Sequence, residues 1–187
     1  MSKTRAVETT MYKTAAEYYA ADIREWAETV SAGDEILLSG TVYTARDAAH
    51  KRFAEAMAAG KELPFKLDGA VIYYAGPTPG QRGLPVGSFG PTTSSRMDPY
   101  TPAMLDAGLC GMIGKGPRSR QVCDAIISNR AVYLCAIGGA GALAAKAVKS
   151  LEVIAYDDLG CESVKRVVFE RFPLYVGIDC RGGSLFE

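Results

Sequence analysis

The sequence is short of the residues from which most protein metal sites are built. It has one histidine, His50, in 187 residues, and no pair among its five cysteines has C-x-x-C spacing. Ligands for a metal or iron–sulfur site built by this chain alone are therefore lacking. Free thiols in a reducing compartment are expected instead, with Cys110, Cys123 and Cys135 packing as small hydrophobes. Neither sign of charge is in excess, 21 Lys and Arg standing against 21 Asp and Glu. That balance argues against nucleic acid or an anionic membrane as the main partner. No apolar run approaches the roughly 20 residues of a membrane span. Residues Met1–Thr10 are polar, without the apolar core of a secretory signal. A cytoplasmic protein is expected.

What the chain does contain is 48% apolar residues, enough for a full core. The length favours one domain with an extension, divided here as a helical segment over 1–30 and a main domain over 31–187. Ala16, Tyr19, Ala20, Ile23, Trp26 and Ala27 recur at helical spacing and predict a helix over 14–29. Glu35–Tyr43 reads as a strand, and Arg46–Ala59 as a helix capped by Thr44 and ended by Gly60. Short apolar runs predict strands near 69–75, 84–89, 109–113, 131–137, 153–156, 164–169 and 174–178. Helices are expected from Thr101 as N-cap with Pro102, from Ser119 to Asn129, and from Ala142 to Ser150. Helices alternating with mostly apolar strands, some consecutive, indicate a layered α/β domain with a mixed sheet.

Four stretches carry chemistry. Thr92, Thr93, Ser94, Ser95 and Arg96 place four hydroxyls and a guanidinium in a loop entering a helix, a setting suited to anions. Arg46 sits in the first turn of its helix, where a cation opposes the helix dipole unless an anion is bound. Lys115 lies between two glycines just past a strand, without the G-x-x-x-x-G-K-[ST] spacing of a phosphate loop. Gly138-Gly139-Ala140-Gly141 opens another helix with bare backbone.

Residues 90–102 resemble the signature of the C-terminal half of class I fumarases. That half also occurs as the separate β subunit of two-subunit fumarases and of L-tartrate dehydratase. Thr44–His50, Gly111–Gly116, Gly138–Ala145 and the Asp158…Glu162 segment agree, in the same order. The resemblance implies a β/β/α swivelling domain and an oxygen-sensitive hydro-lyase whose [4Fe–4S] cluster is carried by a partner α subunit. It assigns Thr92 to proton transfer and Lys115 to the active site. It makes Arg46 and Arg96 substrate-binding, with Thr93 and the backbone of Gly138 and Gly139 beside them. The implied reaction is hydration of fumarate to L-malate; turnover of tartrate or another hydroxy-dicarboxylate is the close alternative. A non-catalytic dicarboxylate-binding module is the alternative from another class. The expected assembly is the α subunit with this chain, as a homo-oligomer or α2β2, without nucleic acid or membrane. Pro117-Arg118-Ser119-Arg120 departs from the family pattern, in which glycines often follow the lysine, and points to an altered rim or subunit contact.

Overall fold

The computed structural model describes residues 15–80, 83, 85–136 and 141–186. The fold is α/β, built on one mixed seven-stranded sheet in the order β1-β2-β3-β4-β5-β7-β6. Strands β1 (Ala16–Tyr19), β2 (Glu35–Thr44), β3 (Val71–Tyr73), β4 (Gly111–Gly114) and β5 (Val132–Cys135) run parallel in that order. The last strand, β7 (Val164–Ile178), is antiparallel to β5, to β6 (Val148–Ala155) and also to β2. The β2–β7 pairing closes five strands into a barrel-like ring.

Helices α2 (Asp47–Ala58), α3 (Thr101–Asp106) and α4 (Arg120–Ser128) cover one side of this ring. Along β3 the residues alternate. Val71 and Tyr73 point into the ring interior, while Ile72 and then Tyr74 pack under the helices. Both faces of β3 to β5 are thus buried, which is why these strands read as continuous apolar runs. Burying each large apolar side chain stabilises by about 1.5–3 kcal/mol.

Two expected elements take other forms. Of the segment expected to be a helix over 14–29, residue 14 lies outside the described residues, and 15–29 holds edge strand β1, a 3-10 turn (Ala20–Asp22) and a single helical turn, α1 (Ile23–Trp26). Pairing with β2 wins over helical periodicity, and the apolar positions still serve, since Ala20, Ile23, Trp26 and Ala27 are buried. The two strands expected at 164–169 and 174–178 are one fifteen-residue strand. It bends at Arg171, whose φ is +52, opposite the Ser39–Gly40 irregularity of β2. Ser39 Oγ accepts the Arg171 N–H at 2.9 Å and so holds the bend.

Smaller differences follow from pairing too. Helix α5 (Gly141–Lys146) stops short of 150, because Val148 already joins β7 as part of β6. The strand expected at 84–89 is, over its described residues 85–89, a bridge between Pro79 and Val86 with backbone bonds of Gly87 and Ser88 to Thr78. Thr44 does not cap α2; it is a buried strand residue whose Oγ1 accepts the Lys165 N–H at 3.2 Å. Arg46 is the N-cap residue, and Tyr100, not Thr101, precedes α3. No described helix is long and apolar enough to cross a membrane.

Candidate active site at the carboxyl ends of the parallel strands

In open α/β sheets, ligands bind beyond the carboxyl ends of parallel strands, where the loops to the next helices gather. Here those loops carry the predicted residues. Arg46 follows β2, Tyr74 to Gly76 follow β3, Lys115 follows β4, and residues 136–141 follow β5. Gly138 and Gly139 lie outside the described residues. Their neighbour Gly141 is described, and its carbonyl accepts the Phe89 N–H at 3.0 Å. A Cβ on Gly141 would stand 2.4 Å from Ser88 Oγ. That glycine therefore lets α5 dock against the start of the hydroxyl-rich loop.

The hydroxyl loop is pinned to its neighbours by backbone bonds. Thr92 N–H donates to the Tyr74 carbonyl at 2.6 Å, and Thr93 bridges Lys115 in parallel fashion. Ser94, fully buried, does more than shape a loop. Its N–H donates to the Lys115 carbonyl at 2.9 Å, and its Oγ accepts the Lys115 N–H at 3.0 Å. Tyr133 Oη lies 2.8 Å from both Ser94 Oγ and the Gly116 carbonyl. Tyr133 has one proton and a carbonyl can only accept, so that proton goes to Gly116 and Ser94 donates to Tyr133. The result is a closed chain, Lys115 N–H to Ser94 to Tyr133 to Gly116 C=O, that begins and ends on the lysine loop. Gly114 makes room for it: a Cβ there would stand 1.9 Å from Ser94 Oγ.

The two arginines are each met by a carboxylate. Arg96 reaches Asp47 through Nε at 2.8 Å and Nη2 at 2.7 Å. Asp47 opens α2, beside Arg46, so Arg96 is brought to the same helix end. Arg46 Nη2 lies 3.2 Å from Glu162 Oε1. Glu162 Oε2 also accepts the Ala48 N–H at 3.2 Å, so a residue far along the chain supplies the acceptor that the N-cap arginine lacks. The Arg46 side chain packs on Gly76, where a Cβ would come within 3.1 Å of Nη1. Apart from Asp47 Oδ2, which meets Arg96 as an ion pair, the buried side-chain atoms without a hydrogen-bond partner among the described residues are Arg46 Nε, His50 Nε2 and Tyr74 Oη. Arg46 and Tyr74 lie just past β2 and β3, and His50 lies in the first turns of α2. Among the described residues no three His, Cys, Asp or Glu side chains gather as a metal site.

The family model described as fumarase C-terminus matches residues 3–187, nearly the whole chain. The chain belongs to the fumarase C-terminal family. Among its relatives, the mitochondrial fumarate hydratase 1 of Leishmania major is 44% identical over 152 residues, 80% of this chain and 28% of that protein. The anaerobic class I fumarate hydratase of Escherichia coli is 42% identical over 152 residues, again 80% of this chain and 28% of the relative. The chain thus spans under a third of the length of these fumarate hydratases. A protein of Methanocaldococcus jannaschii, provisionally named L(+)-tartrate dehydratase subunit beta, is 35% identical over 161 residues, 83% of each chain.

Within this fumarase C-terminal chain, Thr93 bridges Lys115, Thr92 bonds to the backbone at the end of β3, and Arg96 pairs with Asp47, the residue after Arg46. The sequence by itself shows neither the pairing of Asp47 with Arg96 nor the link from Ser94 to Tyr133. Nothing local marks these residues, because their partners lie up to 49 residues away. The expectation for Arg118 is corrected. Its side chain is 0% exposed and pairs with Asp98 at 2.7 Å, with Thr101 Oγ1 at 2.9 Å. The guanidinium lies over the rings of Tyr74 and Tyr133, at 5.3 and 5.0 Å. Arg118 is a foundation under the two loops and not part of a rim.

Proposed function

We propose that this chain is the β subunit of a class I fumarate hydratase, hydrating fumarate reversibly to L-malate together with an α subunit that carries a [4Fe–4S] cluster. The observation that supports this reading is that Arg46, Lys115 and the Thr92–Arg96 loop lie at the carboxyl ends of the parallel strands, with Thr93 bridging Lys115 and Arg96 paired with Asp47 next to Arg46. A dicarboxylate needs two cationic clamps, and a guanidinium fork suits a planar carboxylate. Asp47 and Glu162 each occupy one part of a guanidinium, which orients the remaining donors. Arg46 Nε, buried without a partner, is one such donor. Lys115 adds a third positive group from the next loop.

Thr92 is the proton-transferring group. A threonine hydroxyl alone is a poor base, so a carboxylate from the partner chain activates it. The cluster is assigned to the partner because, in the family this chain resembles, it is carried by the other half of the enzyme. When bound there, it supplies Lewis-acid assistance to the hydroxyl group that adds or leaves.

The match in length to the Methanocaldococcus protein supports a second substrate, tartrate or a related hydroxy-dicarboxylate, for the same site. Anaerobic co-expression with an iron–sulfur α subunit, followed by assays on fumarate and tartrate, separates the two. Absence of turnover of any dicarboxylate by the cluster-loaded complex leaves only a non-catalytic binding module. Arg96→Ala is expected to lower kcat/KM at least tenfold; parent-like kinetics in that variant would remove Arg96 from the clamp.

A further inference from the structure

His50 is the only histidine of the chain, and no role in the proposed chemistry uses it. It is 0% exposed and packed among the rings of Phe53, Tyr74 and Tyr100. Its Nδ1 lies 2.9 Å from the carbonyl oxygen of Arg46. That carbonyl also accepts the backbone N–H of His50, again at 2.9 Å. A carbonyl can only accept, so Nδ1 carries the proton and Nε2, which has no partner, is bare. Burial pushes the imidazole pKa down to about 4, so the neutral ring persists at physiological pH.

The consequence falls on Arg46. As the N-cap residue it has extended backbone, φ −119 and ψ −163, and no side-chain cap of its own. Two donors on one carbonyl fix the peptide plane between Arg46 and Asp47. That plane sets where the Arg46 side chain leaves the backbone, toward Glu162 and Gly76. It also sets the direction of Asp47, which holds Arg96.

We propose that His50 is a positioning residue for the arginine pair, acting through its Nδ1–H bond to the Arg46 carbonyl. The proposal rests on Arg46 and Arg96 binding a substrate carboxylate. Asparagine places an N–H donor where Nδ1 stands, whereas glutamine places one where Nε2 stands. His50→Asn therefore preserves the contact and His50→Gln does not.

Two measurements test this. Long-range nitrogen–proton NMR of the full chain, with its single imidazole, is expected to show the Nδ1–H tautomer; an Nε2–H tautomer overturns the proposal. In the same spectra the buried Arg46 Nε–H gives a resonance that is expected to stay in place in His50→Asn and to shift or broaden in His50→Gln. An unmoved resonance in His50→Gln, or equal displacement in both variants, overturns it. Neither readout needs turnover, so the proposal stays tested if the fumarate reading fails. With the α subunit present, His50→Gln is expected to raise KM for the dicarboxylate about tenfold, an effect of the size of one misplaced ionic contact. His50→Asn is expected to remain within about threefold of the parent. A kcat loss of the same size in both variants, with KM unchanged, also counts against it.

Discussion

At the scale of single residues, the protein sets its charged groups against burial in distinct ways. His50 is kept neutral, with its pKa pushed from near 6.5 to about 4 by desolvation. Between those values the unfolded chain holds a proton that the folded chain lacks, so stability rises with pH across this window. The loss on acidification from pH 6.5 to 4 is on the order of 3 kcal/mol. Thermal melts are expected to fall over that range, and His50→Asn is expected to flatten the slope. The exposed carboxylates Asp68 and Asp158, held low by hydrogen bonds from Arg24 and Arg52, act only at lower pH. Their contribution is present above the ordinary carboxylate range and fades as pH falls through their lowered values.

Arg118 is the opposite case, a cation kept charged in the interior. Burial works against its charge, but Tyr74, Asp98 and Tyr133 outweigh it and hold its pKa above the ordinary value. Replacing it by methionine leaves Asp98 without its guanidinium partner. Breaking such a buried pair costs about 3–5 kcal/mol, which urea unfolding would read as a lower midpoint. An unchanged midpoint would show that Asp98 is satisfied by the Ser119 N–H alone, at 2.6 Å.

At the scale of elements, the loops after β3 and β4 work as one piece. The chain through Ser94 and Tyr133 closes on Lys115 and Gly116, so removing any member loosens both loops. Tyr133→Phe and Ser94→Ala are each expected to cost about 1–2 kcal/mol in stability. Because both break the same chain, the double variant is expected to cost less than their sum, which a double-mutant cycle on unfolding measures. Additive losses would mean that the two hydroxyls act separately. Gly114→Ala drives a methyl into Ser94 Oγ and is expected to destabilise by more than either. Soluble, parent-like Gly114→Ala protein would contradict the packing.

At the scale of the whole molecule, one long strand holds the architecture together. β7 borders β2, β5 and β6, and its bend at Arg171 lets a single strand serve all three. Glu17 of edge strand β1 reinforces the bend, since its carboxylate meets both Ser39 Oγ at 2.6 Å and Arg171 Nη1 at 2.7 Å. Ring closure in turn places the loop carrying Glu162 against α2, and with it the acceptor for Arg46. Glu162→Gln keeps an oxygen for the Ala48 N–H but removes the charge facing Arg46. It is expected to raise KM for a dicarboxylate several-fold while changing the melting temperature little, as partly exposed ion pairs contribute only about 0–1 kcal/mol.

Much of this protein is local and was readable as such. The apolar runs of β2 to β5, the helix that follows Ser119 and the turn glycine Gly60 follow from periodicity and backbone freedom within a few residues. So does the placement of Arg46 and Lys115 at strand ends, because each lies just past an apolar run; the hydroxyl loop is brought there by its bonds to the Tyr74 and Lys115 backbone. The sequence alone also carries the ordered motifs that mark the fumarase C-terminal family. Tertiary structure decided the rest. Residues 16–19 form a strand because β2 offers an edge, and β6 begins at Val148 because β7 does. Arg118 is interior because two tyrosines and Asp98 close over it. Arg46 faces Glu162, and Ser94 meets Tyr133, across 116 and 39 residues of chain. Such partners are set by strand order and ring closure, long-range pairings that leave no periodic trace in the residues they join.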